Sequence, residues 1–146
     1  MLDTNVVLAL YWFRDDRLRP LAAALEGAQI EWVATTAMRQ ELAHVLELGH
    51  LPSGKPGVAD PLTAFDSLAL QVQTPQALRP WPRCTDEEDQ QFIDLAMGAR
   101  AAWLLTRDRA VLKLRRKVLA LSGCQVLRPE EWRSCALQGP RAASPC

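Results

Sequence analysis

The sequence predicts an α/β protein, a single domain whose central parallel sheet of about four or five strands is flanked by helices on both faces. Three observations lead to this prediction. Short β-branched runs alternate with longer helical segments along the chain, and strands that alternate with helices form parallel sheets covered on both faces. The chain has 146 residues, a length typical of one domain. Apolar residues make up 49% of it, as in globular proteins.

In the first half of the chain, β-branched apolar runs favour strands, whereas alanine- or leucine-rich runs favour helices. Gly27 follows one alanine-rich run and indicates its end. Residues 51–61 contain three prolines and two glycines, a composition typical of a loop. The predicted elements are a strand at 2–10 that passes into a helix, a helix at 18–25, a strand at 30–35, a helix at 36–48 and a helical segment at 62–70.

The second half begins with the proline-rich residues 74–83, which predict an irregular surface segment. Thr85 and Glu88 have the spacing of a capping box and indicate the start of a helix. Residues 138–146 have no apolar pattern, so we expect a domain at 1–137 and a disordered tail. The predicted elements are a helix at 85–99, a strand at 101–106, a helix at 109–121, a strand at 124–129 and a closing helix at 129–137.

Charge and cysteine content argue against several classes of protein. Lys and Arg number 17, as do Asp and Glu, so nucleic-acid binding would need a local basic patch. No apolar run approaches the roughly 18 residues of a membrane helix, and we expect a cytoplasmic protein with no membrane contact. The four cysteines include no CxxC pair, and His44 and His50 match no ligand spacing. Reduced, structurally incidental thiols are therefore expected rather than a zinc site.

Helical geometry separates the acids that face solvent from those that face the core. At about 100° per residue, Glu41 falls inside the apolar arc of the helix at 36–48, whereas Glu47 falls on the opposite side. Asp89 falls in the middle of the apolar arc of a helix that begins at Asp86. Glu41 and Asp89 therefore need an explanation other than solvation.

Two further acids are placed by the predicted strands. Asp3 lies in the first strand, where a buried charge without a partner costs several kcal/mol. Asp108 directly follows the strand at 101–106, and ligands of open α/β sheets bind at the carboxyl ends of the strands. The first turns of the helices that carry Glu41 and Asp89 should lie at the same edge. We therefore expect all four acids at one rim.

Carboxylates that meet at one rim repel one another unless a cation lies between them. Ligation by oxygen alone, with retained waters, suits Mg2+ or Mn2+ rather than zinc. The alternative is that individual acids are neutralised by a nearby cation, for which Arg39 and Arg107 are the candidates. The sequence therefore predicts a divalent metal site and leaves local ion pairs open for any single acid.

With these residues in view, the chain resembles PIN-domain proteins of the toxin type, from Leu2 to about Trp132. The resemblance rests on three ordered motifs, which are "LDTNVVL", "RQELAHVL" and "DEEDQQFIDLAMGARAAWLLTRD". It implies a ribonuclease that depends on Mg2+ or Mn2+, in bacteria often the toxin of a toxin–antitoxin pair. RNA, an antitoxin protein and a second copy of the chain are the partners it implies. The four acids of the family fall on Asp3, Glu41, Asp89 and Asp108, and its supporting polar positions fall on Asn5 and Thr106.

Positive charge is concentrated in residues 107–117, which carry six basic residues and one acid. This segment starts beside Asp108 and could guide RNA phosphates to the metal; an ordinary solvated helix face is the alternative. Two other functions are weighed against the ribonuclease. One is a non-catalytic PIN-like module that binds RNA or protein. The other is an aspartate-nucleophile phosphatase, but this chain has no obvious lysine and later acidic pair of the kind that such an enzyme needs. The residues predicted to contact RNA are Arg107, Arg109, Lys113, Arg115 and Arg116.

Overall fold

The computed structural model of the chain describes residues 1–52, 60–74, 76 and 81–133. The predicted domain end at residue 137 and the predicted tail at 138–146 lie outside the described residues. So do parts of the predicted irregular segments at 51–61 and 74–83.

The described residues form a mixture of helices and short strands, in agreement with the predicted α/β class. Two 3-10 turns, Asp16–Leu18 and Pro129–Glu131, lie among them. The elements in chain order are α1 (Thr4–Tyr11), α2 (Arg19–Glu26), β1 (Trp32–Ala34), α3 (Thr36–Glu47), α4 (Pro61–Leu68), β2 (Ala69–Gln71), α5 (Gln90–Gly98), β3 (Trp103–Leu105), α6 (Arg109–Lys113), α7 (Arg115–Ser122) and β4 (Gln125–Leu127).

The strands form two separate parallel pairs in the described part of the chain, β1 with β2 and β3 with β4. Leu2 adds an isolated parallel bridge to Leu105, since the Asp3 amide donates to the Leu105 carbonyl and the Leu105 amide donates to the Met1 carbonyl, each at 3.0 Å. The prediction of a sheet of four or five strands was therefore wrong for the described residues. Each strand has only three residues, so the ladders are short.

The run at 2–10, predicted as a first strand that passes into a helix, turns helical earlier than expected: only Leu2 forms a strand bridge, and α1 occupies most of the run. Asp3 precedes this helix in an extended conformation, and its carbonyl accepts from the Val6 and Val7 amides at 2.9 and 3.1 Å. Nearly every residue of α1 is buried. A helix buried on all sides has no polar face, and a short apolar run cannot be assigned to helix or strand by its periodicity.

Two other boundaries differ from the prediction. The helical segment at 62–70 ends at Leu68, because Ala69–Gln71 pairs in register with β1. The helix at 85–99 begins only at Gln90, and the capping box of Thr85 with Glu88 does not form. Instead, the Asp86 carboxylate accepts from the Glu88 amide at 3.0 Å. The acids of this segment therefore belong to a turn that precedes the helix.

The carboxyl-terminal elements are shorter than predicted. The helix at 109–121 is divided into α6 and α7 at Leu114. α7 ends at Gly123, whose φ of 77° is a left-handed conformation suited to glycine. The predicted closing helix starts with the 3-10 turn Pro129–Glu131, and its residues beyond Arg133 lie outside the described part.

The core is built around α1, α5 and the strand pairs, and it joins both pairs into one apolar cluster. Trp32 of β1 packs edge-on against Phe65 of α4, with ring centroids 4.9 Å apart. Cys84 and Cys124 are buried free thiols, in agreement with the predicted reduced state; Cys135 and Cys146 lie outside the described residues. Among the described helices, none is long and apolar enough to cross a membrane.

Candidate metal centre

Asp3 lies where the short pairing with β3 ends and α1 begins. Its side chain is buried, with the residue only 3% exposed. One carboxylate oxygen, Oδ2, accepts from Asn5 Nδ2 at 2.7 Å and from the Thr106 hydroxyl. Burial raises the pKa of Asp3, the nearby Asp108 carboxylate adds to this, and the two donors oppose it. Asp3 is therefore a carboxylate with side-chain support but no ion-pair partner among the described residues.

The polar residues around Asp3 also hold the segment that carries Asp108. The Thr106 hydroxyl, which donates to Asp3, accepts from the Asp108 amide at 2.9 Å. Asn5 donates to Asp3 and accepts from the Arg107 amide at 3.1 Å. The start of α1 and the end of β3 are thus joined by two side chains. This is the arrangement expected if Asn5 and Thr106 support the first and last acids.

Asp108 caps the amino end of α6. Its Oδ1 accepts from the amides of Ala110 and Val111 at 2.6 and 3.3 Å. No donor among the described residues bonds to its other carboxylate oxygen. The cap orients the carboxylate and leaves one oxygen for a ligand.

Glu41 lies in the second turn of α3 and is partly buried. Its Oε1 accepts from the Thr4 hydroxyl at 2.8 Å, and its Oε2 accepts from the Gln91 side-chain amide. Burial raises the pKa of Glu41, and the carboxylates of Asp3 and Glu88 raise it further. Glu41 therefore faces the Asp3 region, as its place in the apolar arc predicted.

Asp89 directly precedes α5 and is partly buried. No donor among the described residues bonds to its carboxylate. Burial, followed by the carboxylates of Asp3, Asp108, Asp86 and Glu41, raises the pKa of Asp89 to about 7. Because that effect requires proximity, Asp3, Glu41 and Asp108 lie within electrostatic range of Asp89.

The nearby arginines do not neutralise these acids. Arg39 pairs with Asp66, with 2.6 Å between Nε and Oδ1. Arg107 pairs with Asp15 at 2.8 Å and with Glu130, and with none of the four acids. The sequence left open that a local ion pair neutralises each of these acids. Among the described residues, no ion pair involves Asp3, Glu41, Asp89 or Asp108.

The predicted RNA-contacting residues divide into two groups. The Arg107 side chain is engaged in the ion pairs just described. The other predicted residues are exposed and form no ion pair with any described residue; they are Arg109, Lys113, Arg115 and Arg116.

The donor set fits a hydrated magnesium or manganese ion better than a fully protein-bound one. Within the described residues, no three His, Cys, Asp or Glu side chains are close enough to hold one ion together. Mg2+, however, usually binds through one or two carboxylates and keeps several waters. The carboxylate oxygens of Asp89 and the second carboxylate oxygen of Asp108 have no described donor, and none of the four acids has a described ion-pair partner. Both features suit a cation that reaches some carboxylates through water.

Sequence reasoning missed three contributors to this region. Thr4 and Gln91 donate to Glu41, and Asp86 adds to the negative potential at Asp89. Asp86 was predicted only as the first residue of the helix that carries Asp89. The only sequence signal for Thr4 and Gln91 was that each lies within two residues of a predicted site acid.

Comparison with known proteins gives one result. A family model described as the PIN domain matches residues 1–110, which is more than half of the chain. No curated protein matches the chain, and no solved structure does.

Proposed function

The chain belongs to the PIN-domain family, whose fold is of the nuclease type, and from that membership we propose that it is a metal-dependent ribonuclease. The reaction is the hydrolysis of RNA phosphodiester bonds. The proposed site is Asp3, Glu41, Asp89 and Asp108, with Asn5 and Thr106 in support and Mg2+ or Mn2+ as the cofactor.

One observation carries this proposal most directly. The Asp89 carboxylate is partly buried and has no described hydrogen-bond donor or ion-pair partner, and the carboxylates near it add to burial in raising its pKa to about 7. A structural role would be served better by an ion pair or by apolar residues. Crowded, unneutralised carboxylates are what a divalent cation site requires.

When bound, the metal ion would lower the pKa of a water molecule and stabilise negative charge on the phosphate. The chain supplies positioning. Asp3 and Asp108 are held by one shared hydroxyl, that of Thr106. The carboxylate of Asp89, to which no described donor bonds, is free to accept a hydrogen bond from the attacking water. Direct attack by water would leave a 5′-phosphate and a 3′-hydroxyl on the products.

The exposed cations of α6 and α7 support RNA as the substrate. α6 starts at the residue after Asp108, so the basic side chains continue from the edge that holds the acids. Unpaired cations attract phosphates and release counterions when they bind them. The finer parts of the proposal come from the family resemblance, which implies a toxin-type enzyme in the cytoplasm, an antitoxin that blocks the site, and a homodimer.

The test compares two glutamates of the same helix. Glu41→Gln removes a proposed site charge, whereas Glu47→Gln changes an exposed residue of α3 and serves as the matched control. Each purified protein is incubated with single-stranded and structured RNA in Mg2+, Mn2+ or chelator. We expect Glu41→Gln to reduce cleavage by at least about a hundredfold, the size typical of losing one group that stabilises developing charge, and Glu47→Gln to match the wild type.

Equal cleavage by both variants would remove Glu41 from the site. Cleavage that persists in chelator, or that leaves 2′,3′-cyclic phosphate ends, would contradict metal-assisted attack by water. RNA that is bound but never cut under any metal condition would favour the non-catalytic module.

A further inference from the structure

Glu41 is tied to two other segments that carry site acids. Its Oε1 accepts from Thr4, the residue after Asp3, at 2.8 Å. Its Oε2 accepts from Gln91, two residues after Asp89. One carboxylate thus connects the starts of α1 and α5 to α3, across 37 and 50 residues of sequence respectively.

Gln91 is itself held in place for this contact. Its side-chain nitrogen donates to Glu41 and also lies 3.3 Å from the Glu88 carbonyl of the preceding turn. A primary amide has two N–H groups, so one can anchor the side chain while the other meets Glu41. Gln91 is partly buried, which further limits its freedom.

The chemical type of this residue matters at a cation site. A neutral amide orients a carboxylate without cancelling its charge. A lysine or arginine in its place would compete with a metal for Glu41, and an acid would add repulsion to a cluster already short of positive charge. Glutamine is the side chain that supplies a donor at this reach and leaves the carboxylate available.

We propose that Gln91 is a positioning residue for the metal centre. It holds Glu41 at a set distance from Asp3 and Asp89. This inference rests on the proposed function. Residues that orient metal ligands through hydrogen bonds typically change metal affinity by about 10- to 100-fold when they are removed.

The first measurement needs no metal. A double-mutant cycle of Gln91→Ala with Glu41→Met is followed by denaturant unfolding in chelator. We expect Gln91→Ala to lower the denaturant midpoint of unfolding. The equilibrium constant for folding should fall by about fivefold, the size of one ordinary hydrogen bond. In the Glu41→Met background the same change should have little effect. An equal effect in both backgrounds would overturn the proposed contact.

The second measurement is binding of Mn2+ alone by calorimetry. We expect Gln91→Ala to weaken Mn2+ binding at least about tenfold, and RNA cleavage by this variant to recover as Mn2+ is raised. Gln40→Ala is the matched control, since Gln40 is an exposed glutamine of α3 beside Glu41; it should bind Mn2+ as the wild type does.

The two measurements separate this inference from the function it rests on. Coupling in the cycle together with wild-type Mn2+ affinity in Gln91→Ala would overturn the positioning role and leave the ribonuclease proposal standing. A wild-type protein that binds no Mn2+ would contradict the proposed function, and the cycle would still show whether Gln91 restrains Glu41.

Discussion

The two ends of the parallel strands differ in chemistry. At the carboxyl ends, Asp3 is buried and Glu41, Asp89 and Asp108 are partly buried, and the carboxylates of the other three acids raise the pKa of Asp89. At the amino ends, tryptophans close the structure: Trp103 packs edge-on against Trp132, with ring centroids 6.1 Å apart. The cavity there, lined by Met1 and Trp32 among others, has a volume of about 20 Å3, room for about one water.

Both ends bury ionisable groups, and burial disfavours the charged form at each. At the amino ends, the Met1 amino group donates to the Trp103 carbonyl at 3.0 Å, and burial lowers its pKa to about 6. At the carboxyl ends, burial and neighbouring charge raise the pKa of Asp89 to about 7. The difference is that a bound cation can offset the repulsion between the carboxylates at the acidic end. At the closed end, the buried Met1 amino group avoids the cost of its charge only by losing its proton. The two ends should therefore respond to pH in opposite directions.

The largest effect is expected at the closed end. In protein prepared with a free amino group on Met1, that group has a pKa of about 6 when folded and 8.0 when unfolded, so it binds fewer protons in the folded state. The free energy of unfolding should then rise with pH between about 6 and 8, and about 2 to 3 kcal/mol should be lost as the pH falls through this range. Denaturant unfolding of Asp89→Asn in chelator isolates this contribution. A flat profile would contradict a buried, neutral amine.

A smaller effect is expected on RNA affinity. Arg115→Glu combined with Arg116→Glu should weaken RNA binding about tenfold and reduce its salt dependence, because phosphate contacts are lost near the acidic end. Arg100→Glu is the control, since Arg100 is exposed and precedes the amino end of β3. RNA affinity measured at several salt concentrations gives both the loss of binding and the change in salt dependence. An equal loss per reversed charge in both proteins would mean that net charge, not this helix face, attracts the RNA.

The smallest effect concerns Asp89. Its pKa is raised from 3.8 to about 7, so the folded state binds more protons than the unfolded state between these values. Wild-type stability without metal should therefore fall as pH rises through this window. Asp89→Asn should be more stable than wild type at pH 8 by about 1 kcal/mol, a value kept small because the carboxylate is partly exposed. The difference should shrink toward pH 4.

Divalent ions sharpen this last comparison. Mg2+ should raise the unfolding temperature of the wild type, since a ligand stabilises the state that binds it. The increase should be smaller in Asp89→Asn. Glu87→Gln, which changes an exposed acid of the same segment, should behave as the wild type does. A Mg2+ effect that is identical in all three proteins would remove Asp89 from the metal site.

The acids were predictable because their positions depend on local geometry. Glu41 was placed by the angle between residues of one helix, and Asp108 by the end of a strand that the structure contains at Trp103–Leu105. Asp89 is partly buried, in line with its place in the apolar arc, although its helix begins at Gln90 rather than Asp86. The error did not matter, because either boundary leaves Asp89 at the start of the helix and close to the same edge.

The extent of the sheet was not predictable in this way. The run at 2–10 has the apolar composition of a buried strand, yet α1 occupies most of it because all of its sides are covered by other elements. Ala69–Gln71 is a strand only because β1 lies beside it. Three-residue strands carry too little pattern to be recognised without their partners.

The sequence by itself determined the mixed α/β class, the order of its main helices and the choice of four acids, of which one is buried and three are partly buried. The tertiary structure decided which groups support those acids. Thr4 and Gln91 reach Glu41 from distant segments, and Arg107 is drawn to Asp15 and Glu130 rather than to the cluster. The physical reason is one of range: periodicity along a helix depends on neighbours a few residues apart, whereas hydrogen bonds between segments depend on how the helices pack.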